Sequence, residues 1–433
     1  MQSLSLYELP FIDDKLVKSI KKNVDTHYSR FYNQPQIKNG FNKFIHDTKD
    51  KMSLVNDPKI RGKNFYHVTN PYEHLIEDKG ERSDITSYSK LYFNIGKDTL
   101  NISSRAFYKL WEMLLVFNPI SNTGSIVTAH LAEAPGSFVQ AVMFYREKFF
   151  KAKDYDKDEH FTISIDDVDV PTFKKDFKKA YKKVKIYEQD GGDLTDTKSI
   201  IKFQKFSKKA DFITADGGFV WINENYQEQE AYRLILGEII TALKIQSVGG
   251  TFIIKLFEIY TDVSIKILAI LSSTYDKTFM FKPFTSRPSN SERYMICKGY
   301  KGLDAALITK LENLLEDMNT HHKAGLEIVD LMSNYVIPRN YLVAHNNISL
   351  QLSQTQFLAI NRIVSYIKSN DYFGDQYHQY LAQQKNANDY WVQTFYPADN
   401  LDLKAVQRSL STVHKSSLER TNEELKEYKE TLI

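Results

Sequence analysis

A single lysine stands in the middle of an apolar stretch of the sequence. Lys255 interrupts GGTFIIKLFE, a pattern typical of a strand that is buried on both faces of a parallel sheet. A buried ammonium group loses its water, which is costly unless an anion partners it. The alternative is a lysine at the end of the strand whose ammonium reaches solvent. The cost of burial favours the first interpretation, so Lys255 is a candidate for acid–base chemistry.

Three further residues could complete a reactive group around Lys255. Asp216 closes the apolar run ADFITAD, Lys109 lies in SRAFYKL, and Glu292 lies in SRPSNSERY. A second ammonium and partial burial would lower the pKa of Lys255, so that the neutral amine becomes accessible near neutral pH. Such an amine can act as a general base toward a hydroxyl group. The two carboxylates would balance the charge, because the pocket would not stay folded without them.

A turn of small residues and a series of acidic residues suggest a nucleoside site. The turn EAPGSF, residues 133–138, joins an apolar run to a helical stretch, where backbone amides can approach a ligand. Asp166 and Asp167 end the next apolar run, and Asp190 and Asp193 follow the third. Such acids commonly bind a ribose or an adenine amine. Each alone also fits a solvated loop, but their order favours adenosine binding.

Seven short apolar runs alternate with helical stretches and must position these residues. The runs are SIVTAHLAEA, HFTISID, VKIYEQD, ADFITAD, GGTFIIKLFE, KTFMFKP and RYMICKGY. The helical stretches cover residues 103–117, 138–149, 172–181, 198–206, 226–246 and 263–273. This alternation predicts an α/β fold with a mostly parallel, doubly wound sheet. The last two runs have no helix between them, which predicts an antiparallel hairpin at one edge of the seven-stranded sheet.

The two ends of the chain are less regular, and we predict a domain over residues 96–302 between them. Residues 1–95 mix charged and aromatic residues without a long period and are expected to be irregular and partly helical. Residues 303–433 show apolar residues at helical spacing and are expected to be helical. Near the end, leucines recur every seven residues at 418, 425 and 432, which fits either a short coiled-coil seam or, preferably, a single amphipathic helix packed on its own chain.

Six motifs in order resemble one known family. SRAFYKL, EAPGSF, GDLTD, ADGGF, GGTFIIKLF and SRPSNSERYMICKGYK are similar to motifs of the FtsJ-like ribose 2'-O-methyltransferases, over about residues 100–302. The resemblance implies a class I Rossmann-like fold and S-adenosylmethionine as the methyl donor, with no metal. Within the family, the motifs are most similar to those of the mRNA cap methyltransferases of eukaryotes and large DNA viruses. The implied product is capped RNA methylated on the ribose of the first or second transcribed nucleotide.

The resemblance also assigns roles to individual residues. The family's catalytic Lys-Asp-Lys-Glu tetrad falls on Lys109, Asp216, Lys255 and Glu292. The predicted cofactor-binding residues are Glu133, Ala134, Pro135, Gly136, Ser137, Phe138, Asp166, Asp193 and Asp216. The predicted substrate-binding residues are Arg105, Lys109, Lys255, Arg287, Asn290 and Ser291. One position departs from the pattern, because Ser137 stands where the family usually has a second glycine.

Composition limits the setting in which these residues act. Lys+Arg 57 against Asp+Glu 54 gives a net charge of +3, so an RNA surface must come from local clustering. The single cysteine excludes an intrachain disulfide, and no run approaches the ~18 apolar residues of a membrane span. We expect an intracellular, cytoplasmic protein, with the nucleus also compatible.

Expected partners are the capped mRNA 5' end and, through the terminal regions, other capping or transcription proteins. The abundance of Lys, Asn, Ile and Tyr fits an AT-rich, viral genome.

Two other functions fit the same motifs. A ribosomal RNA 2'-O-methyltransferase would share the tetrad but would not recognise a cap. A catalytically silent methyltransferase-like subunit would bind RNA or act as a scaffold. Such subunits generally lose a catalytic residue, whereas all four tetrad positions are occupied here. The sequence therefore favours an active enzyme.

Overall fold

The structure is a computed structural model in which most of the chain is described. It describes residues 4–13, 15–22, 24–32, 41–56, 68–73, 84–96, 100–120, 124–167, 170–218, 221–369 and 374–397. The predicted leucine seam after residue 400 lies outside these residues.

The strands of the described residues form one large and one small sheet. They are β1 (Ser5–Leu9), β2 (Thr26–Ser29), β3 (Val127–Leu131), β4 (Glu159–Ile163), β5 (Val184–Tyr187), β6 (Ala210–Ala215), β7 (Gln246–Leu256), β8 (Tyr275–Lys282), β9 (Arg293–Tyr300) and β10 (Glu327–Leu331). Eight of them are ordered β1-β8-β9-β7-β6-β3-β4-β5 in the large sheet, and β10 pairs with β2 in the small one.

Helices connect the strands and continue beyond them. The α-helices of the described residues are α1 (Lys15–Lys22), α2 (Phe41–Asp50), α3 (Asp84–Tyr92), α4 (Ala106–Phe117), α5 (Ser137–Phe149), α6 (Ala152–Tyr155), α7 (Lys175–Ala180), α8 (Thr197–Phe206), α9 (Gln227–Glu230), α10 (Tyr232–Ile245), α11 (Asp262–Thr274), α12 (Ala305–Lys323), α13 (Arg339–Ser369) and α14 (Asp375–Phe395). None of the described helices has the length and hydropathy that a membrane span requires.

The large sheet confirms the predicted fold class. Strands β3 to β7 are parallel to one another, while β9 runs antiparallel to both β7 and β8. All seven predicted strands are present, and the described residues after residue 303 are mostly helical, as expected. An eighth strand, β1, was not predicted; it pairs antiparallel with β8. Its five residues carry too short a pattern to stand out in an irregular region.

Side chains on the two faces of the sheet enter different cores. In β7, Phe252 and Ile254 belong to one buried cluster, and Ile253 belongs to the other, together with Trp111 of α4. Because successive side chains of a strand point to opposite faces, Lys255 shares the face of Ile253 and therefore faces the same layer as α4.

The strand order reverses between β3 and β6, which are neighbours in the sheet. From β3 the chain continues outward to β4 and β5, and it then crosses back to β6 and β7. Crevices at such a switch point, outside the carboxyl ends of the strands, are where open α/β sheets bind ligands. The fold therefore brings the turns after β3, β4, β5 and β6 to one edge.

Candidate active site

The four tetrad side chains form two ion pairs at this edge. Lys255 Nζ lies 3.2 Å from Asp216 Oδ1 and donates to the Asp216 backbone carbonyl at 2.8 Å. Lys109 Nζ of α4 donates to Glu292 Oε2 at 2.8 Å. Between 12% and 17% of each of the four side chains is exposed. Four separate stretches of chain thus place two ammonium and two carboxylate groups in one largely buried cluster.

The expected low pKa of Lys255 is wrong for this structure. Burial alone would lower the pKa of Lys255, but Asp216, Glu292 and Glu238 raise it above its usual value. Lys109 cannot offset them, since its own ammonium is paired with Glu292. For Glu292 the effects are reversed. Burial alone would raise the pKa of Glu292, but the Lys109 and Lys255 ammonium groups hold it well below its usual range. Lys255 is therefore an ammonium in the ligand-free protein.

Two residues of this cluster were not predicted from the sequence. Tyr294 donates its hydroxyl to Asp216 Oδ1 at 2.9 Å and lies directly opposite Lys255 in the β7–β9 pair. Glu238 of α10 is buried beneath the turn after β6, where its Oε1 accepts the Gly217 N–H at 3.0 Å. Burial raises the pKa of Glu238 to about 8, although Lys255 opposes this shift. The spacing of Tyr294 two residues after Glu292 was an available signal, whereas Glu238 is an ordinary helix residue by pattern.

The turn after β3 is held by its own glutamate. Glu133 is buried, and its Oε1 accepts the N–H groups of Phe138 at 2.8 Å and Val139 at 2.9 Å. Burial raises the pKa of this carboxyl well above its usual value, and Asp216 adds to the rise. Since N–H groups at a helix start otherwise lack partners, Glu133 caps α5. It lines neither of the cavities beside the turn.

The serine that replaces the family's glycine makes a contact of its own. Ser137 is the first residue of α5, is buried, and its Oγ lies 2.7 Å from the Ser104 Oγ. Ser104 also accepts the Ala106 N–H at 3.2 Å, where α4 begins. The departure therefore joins the turn after β3 to the start of the helix that carries Lys109.

Two cavities lie at the carboxyl ends of the strands. One of 260 Å³ is lined by residues that include Ala132, Asp193, Thr195 and Gly218. A Cβ built on Gly218 would lie 3.4 Å from Lys255 Nζ, so this cavity adjoins the tetrad. The other, of 300 Å³, lies between the ends of β4 and β5.

Three of the nine predicted cofactor residues line these cavities. Asp193 lines the 260 Å³ cavity, and its Oδ1 accepts the Thr195 N–H at 2.8 Å. Asp166 lines the 300 Å³ cavity together with Ala134, whereas its neighbour Asp167 lines the first. The side chain of Asp190 lies outside the described part of the chain. Pro135, Gly136 and Phe138 shape the turn and line neither cavity.

Gly192 borders both cavities and offers a test of the site. Its φ is +64°, and a Cβ on it would lie 2.0 Å from the Ser164 backbone oxygen. We expect Gly192→Ala to lower the free energy of unfolding by more than the ~1–2 kcal/mol of a strained left-handed residue, and to weaken S-adenosylmethionine binding. Denaturant unfolding and calorimetry would measure both.

Gly191→Ala is the matched control. Gly191 has a φ of +70°, but a Cβ on it would meet nothing within 4 Å. It should therefore show the backbone strain without the clash, and bind the donor normally. Equal losses of donor binding in both variants would show that the contact at Gly192 has no part in the site.

Three of the six predicted substrate residues line a larger cavity. A cavity of 800 Å³ is lined by Arg287, Asn290 and Ser291 of the β8–β9 loop, and by residues of α2, α13 and the segment after β6. Ser291 Oγ donates to Gln227 Oε1 at 2.7 Å, and Asn290 Oδ1 accepts from Lys282 Nζ at 2.9 Å. Gly218 of the 260 Å³ cavity lies beside Lys255, and Ser291 of the 800 Å³ cavity directly precedes Glu292 in the chain, although no tetrad side chain lines either cavity.

The two predicted arginines are engaged by the protein itself. Arg105 lies 2.8 Å from Glu73 Oε2, and Arg287 donates to both Glu73 oxygens at 3.0 and 2.6 Å. Glu73 had no signal in the sequence, because its segment shows no periodic pattern.

The comparisons with known proteins agree with this geometry. The mostly parallel sheet, with its antiparallel edge and its switch point between β3 and β6, has the Rossmann-like architecture that the sequence predicts. Residues 102–300 match the model of the FtsJ-like methyltransferase family. This stretch of the chain is therefore similar to the FtsJ-like methyltransferases.

Several relatives share a name. Cap-specific mRNA (nucleoside-2'-O-)-methyltransferase 1 of Caenorhabditis elegans is 31% identical over 278 residues, covering 61% of this chain and 29% of the relative. The human protein of the same name is 41% identical over 121 residues, covering 26% of this chain and 14% of the relative. The chain thus spans less than a third of the length of either relative.

Among solved structures, a candidate ribosomal RNA methyltransferase from Plasmodium falciparum is 22% identical, with a TM-score of 0.32. The match covers 46% of this chain and 99% of that one.

Proposed function

We propose that this protein is an S-adenosylmethionine-dependent ribose 2'-O-methyltransferase that acts on the first or second transcribed nucleotide of capped mRNA. One observation carries the proposal: Lys109, Asp216, Lys255 and Glu292 form a cluster of two ion pairs, next to Gly218 of the cavity at the switch point and to Ser291 of a larger cavity. A transfer reaction needs this arrangement, since donor and acceptor must meet at one set of reactive groups.

The 260 Å³ cavity is the candidate site of the methyl donor. Asp193 supplies a carboxylate for hydrogen-bond donors of an adenosine, and Gly218, which has no side chain, brings the cavity wall next to Lys255 Nζ. When bound, S-adenosylmethionine supplies an electrophilic methyl group on a positively charged sulfur.

The side chains of the tetrad would orient the acceptor and take its proton. Lys255 donates to the oxygen of the ribose 2'-hydroxyl in its ammonium form, and removes the hydroxyl proton in its amine form. Asp216 holds the amine in place, and the Tyr294 hydroxyl in turn holds Asp216. Glu292 Oε1 is buried and has no hydrogen-bond partner among the described residues. It is therefore free to accept a hydrogen bond from the RNA substrate.

The names of the relatives point to the cap as the feature that selects the substrate. The 800 Å³ cavity could receive the 5' end, because it adjoins Glu292 through Asn290 and Ser291.

Methyl transfer to matched oligonucleotides tests this proposal. We expect kcat/KM for a capped RNA to exceed that for the same RNA with a 5' triphosphate by at least about tenfold. Equal rates on the two RNAs would favour a ribosomal RNA-type enzyme instead. No transfer and no donor binding would favour the catalytically silent subunit.

A further inference from the structure

A buried glutamate outside the FtsJ-like region joins two parts of the candidate active site. Glu73 precedes residues 102–300, and only 2% of its side chain is exposed. Its carboxylate binds Arg105, one residue before α4, and Arg287, in the β8–β9 loop. Lys109 lies one helical turn after Arg105, and Glu292 lies at the end of the same loop as Arg287.

The contact between these two elements is fixed at several further points. Arg105 also donates to the Thr285 backbone oxygen at 2.8 Å. Glu112 of α4 accepts the N–H groups of Phe284 at 2.7 Å and Thr285 at 3.0 Å. The same glutamate accepts the indole N–H of Trp391 at 2.9 Å, so α14 joins the contact.

The segment that carries Glu73 is itself held in place. Gln384 of α14 donates to the backbone oxygens of Val68 at 2.8 Å and Asn70 at 3.2 Å. The Tyr72 ring packs on Phe284 at 5.6 Å between centroids. Asn70 donates to Glu73 Oε2. Residues from both terminal regions therefore surround the loop that ends in Glu292.

We propose that Glu73 is a positioning residue for methyl transfer, which acts by holding Arg105 and Arg287 and thereby fixes Lys109 against Glu292. This rests on the proposed function. The Lys109–Glu292 pair at 2.8 Å depends on the separation of two elements that share no strand pairing. A carboxylate that binds an arginine from each element sets that separation by two short ion pairs. Arg105 and Arg287 would then hold the two elements of the site together instead of binding RNA phosphates.

Glu73→Gln tests the proposal because it keeps the shape of the side chain and removes its charge. We expect kcat on capped RNA to fall about tenfold to a hundredfold, since small displacements of catalytic groups cost rates of this order. The KM for RNA and the affinity for S-adenosylmethionine should stay near the wild-type values. A lower KM with unchanged kcat would overturn the proposal, because it would show that Glu73 merely masks two phosphate-binding arginines.

Asp158→Asn provides the matched control. Asp158 forms a similarly buried ion pair with Arg146 at 2.8 Å, but it lies before β4, at the opposite edge of the sheet from the tetrad. It should lose stability while keeping kcat per folded molecule. An equal fall of kcat in this variant would reduce the role of Glu73 to general stability and overturn the proposal.

Two further measurements cover the remaining outcomes. If Glu73→Gln does not fold, Arg287→Lys replaces it, because a lysine keeps the charge but loses the bidentate contact. In Arg287→Lys, kcat should fall at unchanged KM, and a raised KM at unchanged kcat would overturn the proposal.

Amide hydrogen exchange tests the same point without turnover. The backbone amides of residues 283–292 should exchange faster in Glu73→Gln than in Asp158→Asn. Equal exchange in the two variants would contradict the proposal that Glu73 holds this loop. A wild-type protein without methyl transfer would instead contradict the proposed function.

Discussion

Lys255→Met is expected to lower kcat for methyl transfer by at least about a thousandfold, while S-adenosylmethionine still binds. In the proposed reaction Lys255 deprotonates the acceptor hydroxyl, and it adjoins the 260 Å³ cavity without lining it. Methionine fills a similar volume, so the packing of β7 should survive. Single-turnover rates and calorimetry would separate chemistry from binding.

Loss of the ammonium also changes the charges around it. Asp216 and Glu238 would lose their nearest cation, and the pKa of Glu238 should rise further above its value of about 8. Glu238 then stays protonated at neutral pH, which limits the loss of stability. Rates must be expressed per folded molecule, with the unfolding transition measured for each variant.

Lys266→Met is the control for this experiment. Lys266 is also buried in an ion pair, with Asp330 at 2.7 Å, but it lies in α11, away from the tetrad. Its kcat should be that of the wild type. Retained turnover in Lys255→Met would remove Lys255 from the reaction.

Asp216→Asn is expected to lower the plateau rate by about a hundredfold and to move the pH profile of kcat toward acid. The proposed reaction uses the amine form of Lys255, so we expect kcat to rise with pH until the pKa of Lys255 is reached. Asp216 is the largest of the charges that raise this pKa. Without it the pKa of Lys255 falls, and the rising limb ends at lower pH. The plateau falls because Asp216 no longer orients Lys255 and Tyr294 as an anion.

Asp211→Asn is the matched control for the pH profile. Asp211 lies at the start of β6, where its carboxylate accepts the Val127 N–H at 2.9 Å, and asparagine keeps an acceptor there. Its profile should match the wild type. If the rising part of the kcat–pH profile of Asp216→Asn stays in place or moves to higher pH, Lys255 is not the group that titrates.

The sequence was most informative where local pattern and chemistry coincide. Lys255 stood out because it breaks an apolar strand, and the absence of a helix between the last two runs predicted the antiparallel edge. These signals depend on neighbours in the chain, which a sequence displays directly.

Contacts between distant segments could not be predicted in the same way. The pKa of Lys255 was expected to fall because a second lysine was placed near it, but Lys109 is paired with Glu292. Glu238 lies in a helix whose pattern gives no sign of a buried carboxylate beneath the tetrad. Glu73 reaches Arg287 across more than two hundred residues of chain, so its partner is visible only in the fold.

The position of the transferred methyl group tests the central claim most directly. A capped oligonucleotide would be reacted with tritiated S-adenosylmethionine, digested with nucleases and separated into nucleosides and cap fragments. The account predicts label on the ribose 2'-oxygen of the first or second transcribed nucleotide, and none when that ribose is 2'-deoxy. Label on a base or on internal riboses, or label unaffected by the deoxy substitution, would contradict it.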